Sequence, residues 1–161
     1  MSFTITGLAA DEFSHLFALS DASLAGRSMV RVQADAEFGY PDRITMRDVA
    51  TGTELILLNY QHQPAVSPYR ASGPIFVTRG VGGARSWSGE VPECLARRPL
   101  SLRAYDQAGM MLDARLVDGQ DLEEAAERLL ENAGVSYIHV HYASRGCFAA
   151  RIDRDEMQAG D

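Results

Sequence analysis

The sequence predicts a single α+β domain, a mixed and mostly antiparallel sheet with helices mainly on one face. Three observations lead there. Several short segments alternate apolar and polar residues with period two, and one segment from Asp121 carries helical periodicity. The length of 161 residues, 46% of them hydrophobic, suits one domain that can bury a substantial core.

Phe3 and Ile5, ahead of Gly7, predict an opening strand, and Phe13, Leu16 and Phe17 in "DEFSHLF" share one helical face. Ser20 or Asp21 can cap a second short helix that ends near Gly26. "SMVRVQA" predicts a strand and "FGYPDR" a turn. "ELILLNY" at 54–60 is apolar from Leu55 to Leu58, the pattern of a central strand buried on both faces. "QHQPAVSPYRASG" then reads as a long ordered loop, stiffened by Pro64 and Pro68, that leads to the strand "PIFVT" at 74–78. "RGVGGARSWSGE" reads as flexible, and it lacks both GxxxxGK[ST] and GxGxxG, so it offers no phosphate cradle.

"LSLRAYDQAGMMLDARLV" predicts a hairpin in which Leu100, Leu102 and Ala104 alternate with Ser101, Arg103 and Tyr105. "DLEEAAERLLENAG" is the clearest helix. Leu122, Ala125, Ala126, Leu129, Leu130 and Ala133 line one face, acidic residues crowd the first turn, and Gly134 supplies a stop. "YIHVHY" and "CFAARID" form a last hairpin around "ASRG". No domain boundary interrupts residues 1–161, and "MQAGD" from 157 reads as a frayed tail.

Composition narrows the function classes. All 15 basic residues are arginine, which excludes a Schiff-base or phosphate-loop lysine. A net charge of −7 without a basic stripe argues against a nucleic-acid partner. There is no basic leader followed by an apolar run and no bilayer-length apolar stretch, so a cytoplasmic protein without membrane contact is expected. Cys94 and Cys147 lack CxxC spacing and are expected to be free thiols.

The chemistry concentrates in two places. On an extended strand Tyr137, His139 and His141 share one face, so the two imidazoles can converge on one atom. A four-residue turn at 143–146 would pair His141 with Phe148 and His139 with Ala150, placing the histidines among Phe148, Ala150 and Ile152, with space above the small alanine. Cys147 would point to the opposite face. Metal binding, acid–base chemistry, a histidine-activated thiol and plain packing all remain open for this pair. A metal would need a third ligand, for which His62, Asp106 and Asp113 are distant candidates. The second place is the long loop with His62, Ser67, Tyr69, Arg70 and Ser72, where Arg70 could fork onto a carboxylate or phosphate.

The blocks "LLNYQHQPAVSPYRASGPIFV", "LSLRAYDQAGMMLDARLVDG" and "YIHVHYASRGCFAARIDR" resemble those of a bacterial family, domain of unknown function 1203, from about Phe3 to Arg154. One departure is "PDR" at Pro41–Arg43, where a "PCR"-like tripeptide is expected. The resemblance implies a compact bacterial cytosolic domain and brings no reaction, cofactor or catalytic residue with it.

The expectation drawn from the residues is a pocket for a small anionic metabolite. Arg70 anchors the anion, Tyr69, Ser67 and Ser72 donate hydrogen bonds, and His139, His141 or His62 act as acid–base groups. A non-enzymatic ligand- or protein-binding module and a metal site on the His139/His141 pair are the alternatives. If the loop folds over the histidine face, His62, Tyr69, Arg70, His139 and His141 form one cluster.

Overall fold

Two antiparallel sheets carry the fold, and a computed structural model describes residues 2–156 of it. The expected frayed tail from 157 lies outside the described residues. The chain forms β1 (Phe3–Thr6), α1 (Asp21–Gly26), β2 (Val30–Gln33), β3 (Glu54–Gln63), β4 (Ala71–Thr78) and β5 (Ser86–Ser88). It continues through α2 (Glu93–Ala96), β6 (Pro99–Tyr105), β7 (Met111–Asp118), α3 (Leu122–Leu130), β8 (Tyr137–Tyr142) and β9 (Phe148–Arg154). The larger sheet has the order β5-β1-β9-β8-β6-β7, and the smaller has the order β2-β3-β4. The α+β expectation holds, with the mostly antiparallel sheet resolved into these two.

β7 and β8 both run antiparallel to β6 between them, so they are parallel to each other, and α3 is the crossover that joins them. The period-two pattern decides which face α3 covers. Leu100, Leu102 and Ala104 of β6 and Ile138 and Val140 of β8 are fully buried against Leu122, Ala126, Leu129 and Leu130 of α3 and Cys94 and Leu95 of α2. Burying each such leucine contributes roughly 1.5–3 kcal/mol. α3 stops at Leu130, short of the expected Gly134, because the Asn132 carboxamide accepts the Gly134 N–H at 2.9 Å and turns the chain.

In the smaller sheet Ile56 and Leu58 pack with Ile75 and Val77 beneath Phe13, Leu16, Phe17 and Leu24. Leu55 faces the other way onto Ala34 and Val49, so β3 is buried on both faces as its sequence predicts. "DEFSHLF" forms two 3-10 turns, Ala10–Glu12 and Ser14–Ala18, in place of one helix, yet it buries the predicted three residues. Ser20 caps α1 by accepting the Ser23 N–H at 3.1 Å.

Two loop expectations are corrected. The glycine-rich segment contributes β5, which pairs with β1 at Thr4↔Ser88. The expected loop 61–73 shrinks to 64–70, because β3 and β4 continue to pair, past an irregularity after Tyr60, as far as Gln63↔Ala71. His62 therefore sits on a strand.

The "PDR" turn has a clear structural role. Asp42 is fully buried, and its carboxylate accepts the N–H groups of Ile44, Thr45 and Thr78 and the hydroxyls of Thr45 and Thr78 at 2.6–3.1 Å. Arg43, also buried, donates to the carbonyls of Phe148 and Pro41 and to Cys147 Sγ.

Candidate functional site

The face of β8 turned away from α3 carries Tyr137, His139 and His141. Across β6 these residues pair with Tyr105, Arg103 and Ser101 in that order. Paired strand residues project to the same side, so Arg103 stands beside His139. On the β9 side His141 pairs with Phe148 as expected, but His139 pairs with Arg151 and Val140 with Ala150. A bulge inserts Ala149 at this point, and one extra residue turns Ala150 and Ile152 toward the α3 side. The expected Ala150 opposite His139 is thus corrected to Arg151, and the open space expected above an alanine goes with it. Arg151 is itself occupied, stacked over Tyr137 and forked onto Asp153 at 2.8–3.0 Å.

β3 brings the third imidazole. The ring of His62 stacks on Phe148 with centroids 5.6 Å apart, and Phe148 also meets His139 and His141 edge-on. One ring nitrogen from each of His62, His139 and His141 lies within 4.8 Å of the others. His139 is 3% exposed and His141 0%, while His62 is half-buried. His62 Nδ1, His139 Nδ1 and His141 Nε2 are buried without a hydrogen-bond partner. Buried polar atoms are ordinarily paired, so three orphans in one cluster call for an explanation.

The tautomer of His141 follows from its one bond. Nδ1 lies 2.9 Å from the Gly146 carbonyl, which can only accept, so Nδ1 carries the hydrogen and Nε2 keeps a free lone pair. Burial drives the His139 imidazolium down to about 3, helped by repulsion from His141, His62, Arg151 and Arg103. Burial likewise takes His141 down to about 4, against the raising effect of the Gly146 carbonyl, and lowers His62, with Arg103 adding to the effect. All three rings are neutral at pH 7.

Residues 39–154 match a family described as a protein of unknown function (DUF1203). The chain belongs to the DUF1203 family. The matched segment contains all three histidines, Arg103 and the loop at 64–70, and it begins at Gly39, later than the Phe3 start that the resemblance suggested. No curated protein and no solved structure matches the chain.

The DUF1203 loop docks beside the histidines. Ser67 Oγ donates to the Gly109 carbonyl in the β6–β7 turn at 2.9 Å, so that hydroxyl is already engaged. Gly109 has φ +80°, and a Cβ there would come within 2.3 Å of Ala65, so the close approach of loop and turn depends on glycine. Tyr69 meets Tyr105 edge-on, and Tyr105 in turn packs on His139 with centroids 5.1 Å apart. Gln63 donates to the Tyr137 hydroxyl at 2.9 Å. Arg70 and Ser72 are exposed, and neither side chain forms a hydrogen bond or ion pair among the described residues.

Of the expected site residues, the fold joins His62, His139 and His141, connects Tyr69 to them through Tyr105, and sets Ser67 on the neighbouring turn. The guanidinium beside the histidines is Arg103. The signal for it was in the sequence, because Ser101, Arg103 and Tyr105 form the polar half of the β6 alternation, but the β6–β8 pairing was needed to connect them.

Proposed function

We propose that this domain binds one zinc-class transition-metal ion through His62, His139 and His141. The observation that carries the reading is the set of three clustered imidazoles, each with a buried ring nitrogen that faces no protein partner. Imidazole nitrogens suit zinc, copper, nickel or cobalt, whereas calcium and magnesium take oxygen ligands. Zinc–nitrogen bonds of about 2.0–2.1 Å in a tetrahedral site set ligand nitrogens about 3.4 Å apart, so nitrogens within 4.8 Å of one another have to close by at most about 1.4 Å. The Gly146 carbonyl on His141 Nδ1 is the kind of outer partner that fixes a ligand's tautomer and orientation. Three protein ligands leave a coordination position open, as in catalytic zinc sites.

The low proton affinities of His139 and His141 favour this reading over acid–base catalysis by the histidines alone. A general base works best with a pKa near the operating pH, and groups held near 3 and 4 are poor bases at pH 7. A neutral buried imidazole is, by contrast, the form that coordinates metal.

The test is calorimetric titration of chelator-treated protein with zinc. The expected result is one site per chain, lost in His62→Ala and in His141→Ala while circular dichroism stays native. Wild-type protein that takes up no zinc, copper, nickel or cobalt stoichiometrically would remove the proposal.

A further inference from the structure

We infer that the open coordination position takes a small oxyanion, a carboxylate or phosphate, whose second oxygen is held by Arg103. This inference rests on the metal reading above. Three neutral imidazoles leave the double charge of the ion uncancelled, and no aspartate or glutamate joins the cluster among the described residues. Arg103 adds a further positive charge. Its side chain reaches only neutral hydroxyls, Ser101 Oγ at 3.4 Å and that of Tyr105, and has no carboxylate partner among the described residues. The neighbouring Arg151 differs, because Asp153 neutralises it. A metal ion and an unpaired guanidinium side by side, partly withdrawn from water between two sheets, attract an anion strongly, and the planar fork of arginine matches two oxygens of one oxyanion.

Position agrees with a small ligand. Arg103 pairs with His139 and Ser101 with His141, so the guanidinium and the hydroxyl lie on the same side as the ligating rings. The Tyr105 hydroxyl lies within reach of both Arg103 and Gln63 and adds a polar rim. His139 and His141 are almost completely covered, and entry is left to the side of half-buried His62 and Arg103.

The full chain loaded with cobalt(II) provides the test, because its visible ligand-field bands respond to the fourth ligand. Cobalt stoichiometry is measured first. Acetate and inorganic phosphate are then titrated separately, with chloride as an anion that cannot fork. The expected result is a saturable spectral change with acetate, with phosphate or with both, the stronger response identifying the source. Chloride should give a much weaker response. Arg103→Met and Arg103→Gln should both bind cobalt one to one and weaken the oxyanion response at least about tenfold, whereas Arg70→Ala should respond as wild type. A one-to-one cobalt protein whose spectrum ignores both oxyanions, or Arg103 variants that respond fully, would overturn the oxyanion inference and leave the metal reading standing. Absence of stoichiometric cobalt binding would remove both.

Discussion

Two buried polar clusters in this fold are built on opposite plans. At the Asp42–Arg43 turn every charged side chain is paired: the carboxylate accepts five donors, and the guanidinium reaches two carbonyls and a sulfur. At the His62–His139–His141 cluster three ring nitrogens are withdrawn from water and given nothing. Among the described residues the remaining orphan, the Tyr142 hydroxyl, lies on the other face of β8, where the ring sits beneath the guanidinium groups of Arg43 and Arg98. A satisfied cluster holds the chain in place, and an unsatisfied one carries a stability penalty unless something outside the chain completes it. The two clusters should therefore answer mutation in different ways.

The largest effect belongs to the satisfied cluster. Asp42→Ala strands the buried N–H groups of Ile44 and Thr78, and urea unfolding should show a loss of at least about 4 kcal/mol. A loss below 1 kcal/mol would mean that the turn is not the clamp described here.

Acid should come next, through the histidines. In the unfolded chain a histidine takes its proton near pH 6.5, while folded His139 and His141 resist protonation down to about 3 and 4. Between those limits the unfolded state binds more protons, so stability is complete above pH 6.5 and falls as the pH drops toward 4. Arg103 from β6, Arg151 from β9, His62 from β3 and Arg43 all push in the same direction, and the Gly146 carbonyl on His141 opposes them. Metal-free wild type should lose on the order of 3 kcal/mol between pH 7 and pH 4 through each of these two groups. His139→Gln should flatten that limb, and an unchanged slope would contradict the buried, neutral assignment.

A smaller effect separates function from stability. Without metal, His139→Leu removes an orphan nitrogen and keeps an apolar group in the gap, so stability should change by less than about 1 kcal/mol or rise. In the same variant the stabilisation that zinc gives wild type should vanish. Arg70→Ala should do least. Its side chain is exposed and unpaired among the described residues, and a shift within about 0.5 kcal/mol with intact zinc binding is expected.

The sequence made the periodic parts readable and left the long-range pairings hidden. Alternation at Leu100–Tyr105 and at Tyr137–Tyr142 gave both faces of β6 and β8, and the 3.6-residue pattern gave the buried side of α3. His62 reads as a loop residue because Gln61, Gln63 and Pro64 around it are typical of loops. Yet Ile56, Leu58, Tyr60 and His62 continue one alternation, and the strand follows it. The β9 register differs by one from the simple alternation because a bulge at Ala149, next to a second alanine, leaves no compositional mark. Arg103 could be linked to the histidines only through the β6–β8 pairing, a contact between segments more than thirty residues apart in the chain. "PDR" drew notice in the sequence as a departure, and the fold gives its aspartate a purpose through donors from Thr45 and Thr78.

X-ray absorption at the zinc edge of the one-to-one zinc protein tests the central claim most directly. Three imidazole nitrogens and one further oxygen ligand at about 2.0–2.1 Å are the predicted result. A sulfur shell near 2.3 Å, or a six-oxygen shell with no imidazole scattering, would contradict it.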